Sequence, residues 1–191
     1  DMPLEIINGY HPILLEKNGI KNTVPLNIKI SSNKIILITG PNAGGKTVVL
    51  KTLGLIYLMV LSGIHAPIAA DSNLNWVDNI LADIGDRQSL EDDLSTFTLA
   101  TTHHGNLKII ANEMDGFQNA SMEFDSELLK PTYKFVQGLP GASYAFEVAK
   151  RIGFSDSFLS QSQDYLDKKN SKIEELLIEL QKKSNELQHK L

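Results

Sequence analysis

The chain has no cysteine among its 191 residues. That excludes disulfides, thiolate metal centres and cysteine nucleophiles, and it fits a reducing compartment such as the cytoplasm. Aromatics make up 7% of residues, and the single tryptophan, Trp76, reads as a packing side chain. Neither DxxG nor NKxD occurs, which disfavours a GTPase, and no arginine cluster suggests the lid of a small-molecule kinase. HExxH and comparable metal triads are missing, so His65, His104 and His189 carry no metal reading. No secretory leader is visible, and the apolar run from Val48 to Leu61 is interrupted by Lys51 and too short to cross a bilayer. No membrane partner is expected. Positive charge is not in excess either. The net charge of −5 argues against this segment gripping nucleic acid by itself. Asp1 opens the chain without an initiator context, so it reads as a piece of something larger. A hydrophobic content of 42% supports a sizeable core, and the length suits one domain plus an appendage.

What is present centres on Gly40-Pro41-Asn42-Ala43-Gly44-Gly45-Lys46-Thr47, which fills every fixed position of GxxxxGK[ST]. Lys34 to Thr39, just before it, is a short β-branched run of the kind found in buried parallel strands. Val48 to Leu61, just after it, is long and apolar enough for a buried helix. Strand, loop and helix are the setting this chemistry needs. Glycines let successive N–H groups curl toward a phosphate, and the helix starting near Gly45 adds its positive dipole end. Lys46 is placed to reach the β- and γ-phosphates, and the Thr47 hydroxyl to ligate Mg²⁺. A bare Gly-rich turn joining strand to helix is the competing reading, and the flanking elements weigh against it. The pattern predicts a nucleoside triphosphate, with base contacts roughly around Ile20 to Thr23.

Elsewhere, Leu26 to Ile30 alternates apolar and polar residues, as a half-exposed antiparallel edge strand does. Ile80 to Ile84 reads as a strand. Asn119–Phe124 and Thr132–Gln137 read as a strand pair joined by a polar turn containing Pro131, followed by a helix from Ala142 to Ile152. Residues 1–154 are thus expected to form the phosphate-loop domain. Residues 155–191, where Gly and Pro vanish, are expected to form a helical extension with Ser155 as its N-cap. Within it Ile173, Leu177, Leu180, Leu187 and Leu191 alternate four- and three-residue steps, a short coiled-coil-like seam. A solvated terminal helix is the alternative.

His11-Pro12, the loop itself, Leu94-Ser95-Thr96-Phe97 and Ala100-Thr101-Thr102-His103-His104 follow one another in the order seen in MutS-type mismatch-repair ATPases. Three further blocks narrow the choice: Ala82 to Ser89, Asn119 to Phe124 and Leu139 to Glu147. Over about residues 4 to 165 the chain resembles the ATPase domain of the second bacterial MutS paralogue, the branch that usually carries a C-terminal Smr nuclease domain. The resemblance implies an α/β phosphate-loop NTPase of ABC/MutS type, with a mixed sheet and helices on both faces. It implies ATP with Mg²⁺ as cofactors, cradled by Gly40 to Thr47 and by Val48 at the helix start. Gln88 then senses the γ-phosphate and metal, and His103 is the switch histidine facing the γ-phosphate. Ser95 and Thr96 reach across a homodimer interface to complete the partner's site. ATP binding by the dimer is coupled to clamping on branched or mismatched DNA, or on a stalled ribosome, through domains outside this chain. The alternatives are an ABC-type subunit of a transporter or chromosome-maintenance complex, and a non-hydrolysing nucleotide-binding scaffold.

One departure stands out. A loop of this class is normally followed by a strand of the form hhhhDE, whose Asp orders the Mg²⁺ shell and whose Glu polarises water. Ile80-Leu81-Ala82-Asp83 is followed by Ile84, and Ile109-Ile110-Ala111-Asn112-Glu113 lacks the Asp. The Ser-Thr-Phe and Thr-Thr-His segments, well separated in the family, are nearly adjacent here, with the join near Thr98-Leu99. Several dozen residues are expected to be missing at that join, and hydrolysis is expected to be poor.

Overall fold

A computed structural model describes residues 3–31, 34–41, 44–77, 80, 98–102, 105–125 and 128–165. Two sheets organise them. β1 (Leu4–Gly9) and β2 (Leu26–Ile30) form an antiparallel pair, with Leu4 opposite Ile30 and Ile6 opposite Ile28. The alternation along β2 places Leu26, Ile28 and Ile30 inward and Asn27 and Lys29 in solvent, as expected of a sheet with one wet face. The second sheet has the order β4-β3-β5-β6. Here β3 is Ile35–Thr39, β4 Thr98–Thr101, β5 Phe117–Asp125 and β6 Lys130–Gln137. β3 is parallel to both β4 and β5, whereas β6 runs antiparallel to β5, so the sheet is mixed.

β3 is central and covered on both faces, which is why its sequence is continuously apolar rather than alternating. Ile36, Ile38, Ala120 and Met122 pack with Val49, Leu53, Ile56 and Tyr57 of helix α2 (Lys46–Leu61) and with the inner residues of β1 and β2. The opposite face receives α3 (Gly105–Glu113), since Asn119, one residue from Ala120, donates its Nδ2 to the carbonyl of Lys108 at 2.8 Å. Gln137 ties the sheets together. Its Oε1 accepts from the amide of Lys29 at 3.2 Å and its Nε2 donates to the carbonyl of Lys29 at 2.5 Å, as a neighbouring strand would. The remaining helices are α1 (Pro12–Asn18), α4 (Ala145–Arg151) and α5 (Asp156–Tyr165).

Several expectations hold: the strand before residue 40 and the helix after it, the antiparallel strand at Leu26–Ile30, and the pairing of β5 with β6. Ser155 does cap α5, accepting from the amide of Phe158 at 3.3 Å. Others change. Pro131 lies inside β6 rather than in the turn, tolerated because β6 is at the sheet's edge among the described residues. α4 starts at Ala145, because Gly141 to Tyr144 are packed against β3 and β5. α2 is buried on one face only, with Leu58, Val60 and Leu61 in solvent. Trp76, 78% exposed, is not a core residue. Ile109–Glu113 belongs to α3, so Glu113 ends a helix and not a strand. The expected strand from Ile80 to Ile84, apart from Ile80, and the tail beyond Tyr165 lie outside the described residues.

Ile38 is wholly buried between β4, β5 and α2. Ile38→Ala is expected to lower unfolding stability by about 3 kcal/mol. The urea midpoint should fall, at unchanged slope.

Candidate functional site

The turn from β3 into α2 depends on two glycines in left-handed conformations, Gly40 at φ 130° and Gly45 at φ 91°. Gly44 between them donates its amide to the carbonyl of Pro41 at 3.1 Å, closing the loop. The loop lies directly against β5 and β6. A Cβ on Gly44 would stand 3.2 Å from the Cβ of Met122, and one on Gly45 3.2 Å from the Tyr133 ring. Asn42 and Ala43 lie outside the described residues.

Lys46 is the first residue of α2 and only 4% exposed. Its Nζ donates to the carbonyls of Gly40 at 2.6 Å and Pro41 at 2.8 Å, so the ammonium sits inside the loop. Burial pulls its pKa below the ordinary lysine value. Val48 and Val49 donate to the carbonyl of Gly45 at 2.9 and 3.1 Å, so the helix's own ladder begins after Lys46 and Thr47. The amides of those two residues precede it and are turned outward at the positive dipole end. Thr47 and Val48 are exposed. Unpaired helix-start amides, a buried ammonium and an exposed hydroxyl thus lie at adjacent residues, a donor set chemically suited to an anion. No cluster of three or more metal-ligating side chains exists among the described residues. A cation here would take its remaining ligands from an anion and from water.

Next to the loop is a cavity of about 260 Å³, lined by His11, Asn22, Thr23, Val48, Tyr133 and Phe135 among others. Its wall around Asn22 and Thr23 coincides with the stretch expected to meet a base. Tyr133 arrives through an irregularity in the β5–β6 ladder. Pairing shifts from Met122–Phe135 to Phe124–Pro131, leaving Thr132, Tyr133 and Lys134 opposite Glu123 alone. Tyr133 takes φ 62° there, rare for a bulky side chain. The buried Glu123 holds this bulge from both sides. Its Oε2 accepts from the Thr132 hydroxyl at 2.6 Å and lies 3.6 Å from the Lys134 ammonium. No local sequence pattern announces Tyr133; a proline within the strand is the nearest hint. His11 precedes α1, and its Nδ1 is buried with no hydrogen-bond partner. Burial first, and the Lys51 charge second, lower its pKa.

Gln88, Ser95, Thr96 and His103 lie outside the described residues. What precedes His103 is clear. β4 is parallel to β3 and Thr102 donates to the carbonyl of Ile38 at 3.1 Å, so the chain leaves β4 at the same sheet edge as the phosphate-loop sequence.

Comparison with known proteins agrees with this geometry. The sequence model of MutS domain V matches residues 36–100. The chain is 35% identical over 233 residues to an Endonuclease MutS2 from Clostridium botulinum (strain Okra / Type B1), covering 95% of this chain and 29% of that protein. An Endonuclease MutS2 from Clostridioides difficile (strain 630) matches with the same identity and coverage. One from Clostridium beijerinckii is 35% identical over 236 residues, 96% of this chain and 30% of the relative. The chain therefore spans under a third of the length of these curated relatives.

A histidine whose folded pKa is depressed favours the folded state least where the unfolded chain is protonated. Stability is full above the ordinary value of 6.5 and falls as pH drops through it toward the folded pKa. Thermal midpoints measured at pH 7.5 and 5.5 should fall more for the wild type than for His11→Gln.

Proposed function

We propose that this chain, which belongs to the MutS2-type branch of the MutS family, is the ATP-binding domain of a larger DNA-acting protein. The observation that carries this reading is the buried Lys46 ammonium inside a glycine loop at the start of α2. Its amides and ammonium are the donor set that a triphosphate requires. Bound Mg²⁺ would screen the β- and γ-phosphate charges, and the exposed Thr47 hydroxyl is the residue to hold it. On ligand entry Lys46 exchanges two loop carbonyls for phosphate oxygens. The neighbouring cavity takes the base, with the Tyr133 ring stacking on it and Thr23 and Asn22 forming the opposite wall.

Gln88, Ser95, Thr96 and His103 keep the roles that family membership suggests, at the γ-phosphate and across a homodimer. The position of Thr102 beside β3 supports this for His103. In the full-length protein, closure of two such domains around ATP would drive clamping on branched or mismatched DNA, or on a stalled ribosome, with release on hydrolysis. The nuclease named in the relatives would belong to parts outside this chain. Membership of the MutS family selects this reading over the transporter or chromosome-maintenance alternative.

The chain as it stands binds nucleotide better than it hydrolyses it. No Asp-Glu pair ends an apolar run in the sequence, and Glu113 ends a helix. A match over 233 positions exceeds the 191 residues available, which supports an internal segment of several dozen residues in the relatives without a counterpart here.

In equilibrium titrations with a fluorescent ATP analogue, Lys46→Ala should abolish binding with the fold intact, and Tyr133→Ala should weaken it by about tenfold. Unchanged affinity in Lys46→Ala would remove the loop from the argument. Steady-state phosphate release by the 191-residue chain should lie far below that of a MutS2 homologue carrying the additional segment. Equal rates would show that the acid is supplied from elsewhere.

A further inference from the structure

The connection from β6 to α4 lays its backbone on the first residue of the phosphate loop. The Gly141 amide donates to the Thr39 hydroxyl at 2.6 Å, and that hydroxyl donates to the carbonyl of Ala120 at 3.3 Å. A methyl group on Gly141 would stand 2.7 Å from the carbonyl oxygen of Thr39 and 2.8 Å from both the nitrogen and the Cα of Gly40. All three are backbone atoms, which cannot rotate aside. The connection is fastened on both sides of this contact. Gly138 donates to the carbonyl of Asn119 at 2.7 Å, and Tyr144 stacks on Phe124 with ring centres 4.5 Å apart. Thr39, Ala142 and Tyr144 are all buried.

We propose that Gly141 and Thr39 form a clamp that positions the phosphate loop for its ligand; this rests on the reading of the loop as a triphosphate site. Neither residue touches the nucleotide. Gly141 bears on Gly40, whose left-handed turn aims the very carbonyl that holds Lys46. Thr39 fixes Gly141 to β5 through Ala120. Pushing Gly40 outward by a few tenths of an ångström moves the Lys46 anchor and turns the loop amides away from a common point. The clamp accounts for the Leu139–Glu147 block, in which a glycine, small residues and an aromatic follow a proline. It also accounts for the late start of α4.

The test uses the 191-residue chain with Mg²⁺ and a fluorescent ATP analogue, alongside thermal unfolding without nucleotide. Gly141→Ala and Thr39→Val are expected to weaken binding by about tenfold or more at temperatures where each is folded. Thr39→Ser, which keeps the hydroxyl, should bind within about twofold of wild type. A merely structural role would lower the unfolding midpoint without separating Thr39→Ser from Thr39→Val in affinity. If Gly141→Ala does not fold, the two Thr39 variants decide. Wild-type affinity in Gly141→Ala and Thr39→Val, with binding lost in Lys46→Ala, overturns the clamp and leaves the site standing. Wild-type affinity in Lys46→Ala as well removes the site, and the clamp with it.

Discussion

An ammonium group held almost out of water is the constraint around which this domain is arranged. A lysine so placed loses hydration that only close oxygen partners can replace. The carbonyls of Gly40 and Pro41 replace it, and they converge only because the chain turns through a positive φ at Gly40 and again at Gly45. Those turns in turn require that nothing with a side chain stand at residues 44 and 45, where Met122 and Tyr133 press from the strands behind. The loop is therefore shaped from below by β5 and β6, not by its own sequence alone. The loop's internal charge is satisfied by the loop itself. A triphosphate has to offer Lys46 more than two carbonyls do, which its oxygens, carrying full negative charge, can.

The parts of this arrangement that were legible in the sequence are those set by local chemistry. Residues 34 to 61 could be read because a continuous apolar run, a glycine pattern and a long apolar run each have one economical conformation in that order. β2 was legible from its alternation, and Ser155 as a cap from the loss of Gly and Pro beyond it. The elements that could not be read are those decided by neighbours. Ile109 to Glu113 can be set against a strand pattern ending in acids, yet Leu107, Ile110, Ala111 and Met114 fall at helical spacing and the segment is helical, packed on β5. α4 loses its expected first turn to the contact with Thr39. Tyr133 enters the cavity through a bulge stabilised by Glu123, whose partners Thr132 and Lys134 come from the facing strand. Trp76 shows the converse, since an aromatic read as a packing side chain lies largely in solvent.

The sheet also bears on the missing acid. Among the described residues β4 closes the sheet on one side, with β3 as its partner. β4 begins at Thr98, where the join between the two family segments falls. A segment inserted immediately before Thr98 would reach the sheet beside β4, on the side away from β3, without displacing any pairing now present. Its strand would then end at the same edge as the phosphate loop, provided it ran parallel. The architecture thus accommodates the additional positions of the relatives as an extension of an existing sheet rather than as a rearrangement.

Under the proposed function, binding and hydrolysis would be separable because they draw on different parts of the fold. The loop, Lys46 and the cavity rest on β3, β5, β6 and the Gly141 contact, all within the core that joins both sheets. Under the same proposal, the residues acting on the γ-phosphate would follow β4 or come from a second copy. A site whose affinity is fixed by the first group can respond to the second only through the nucleotide itself. Coupling between two copies, as proposed, would then have a physical carrier. The ligand stays where the loop puts it, and what changes is whether anything closes on its far side.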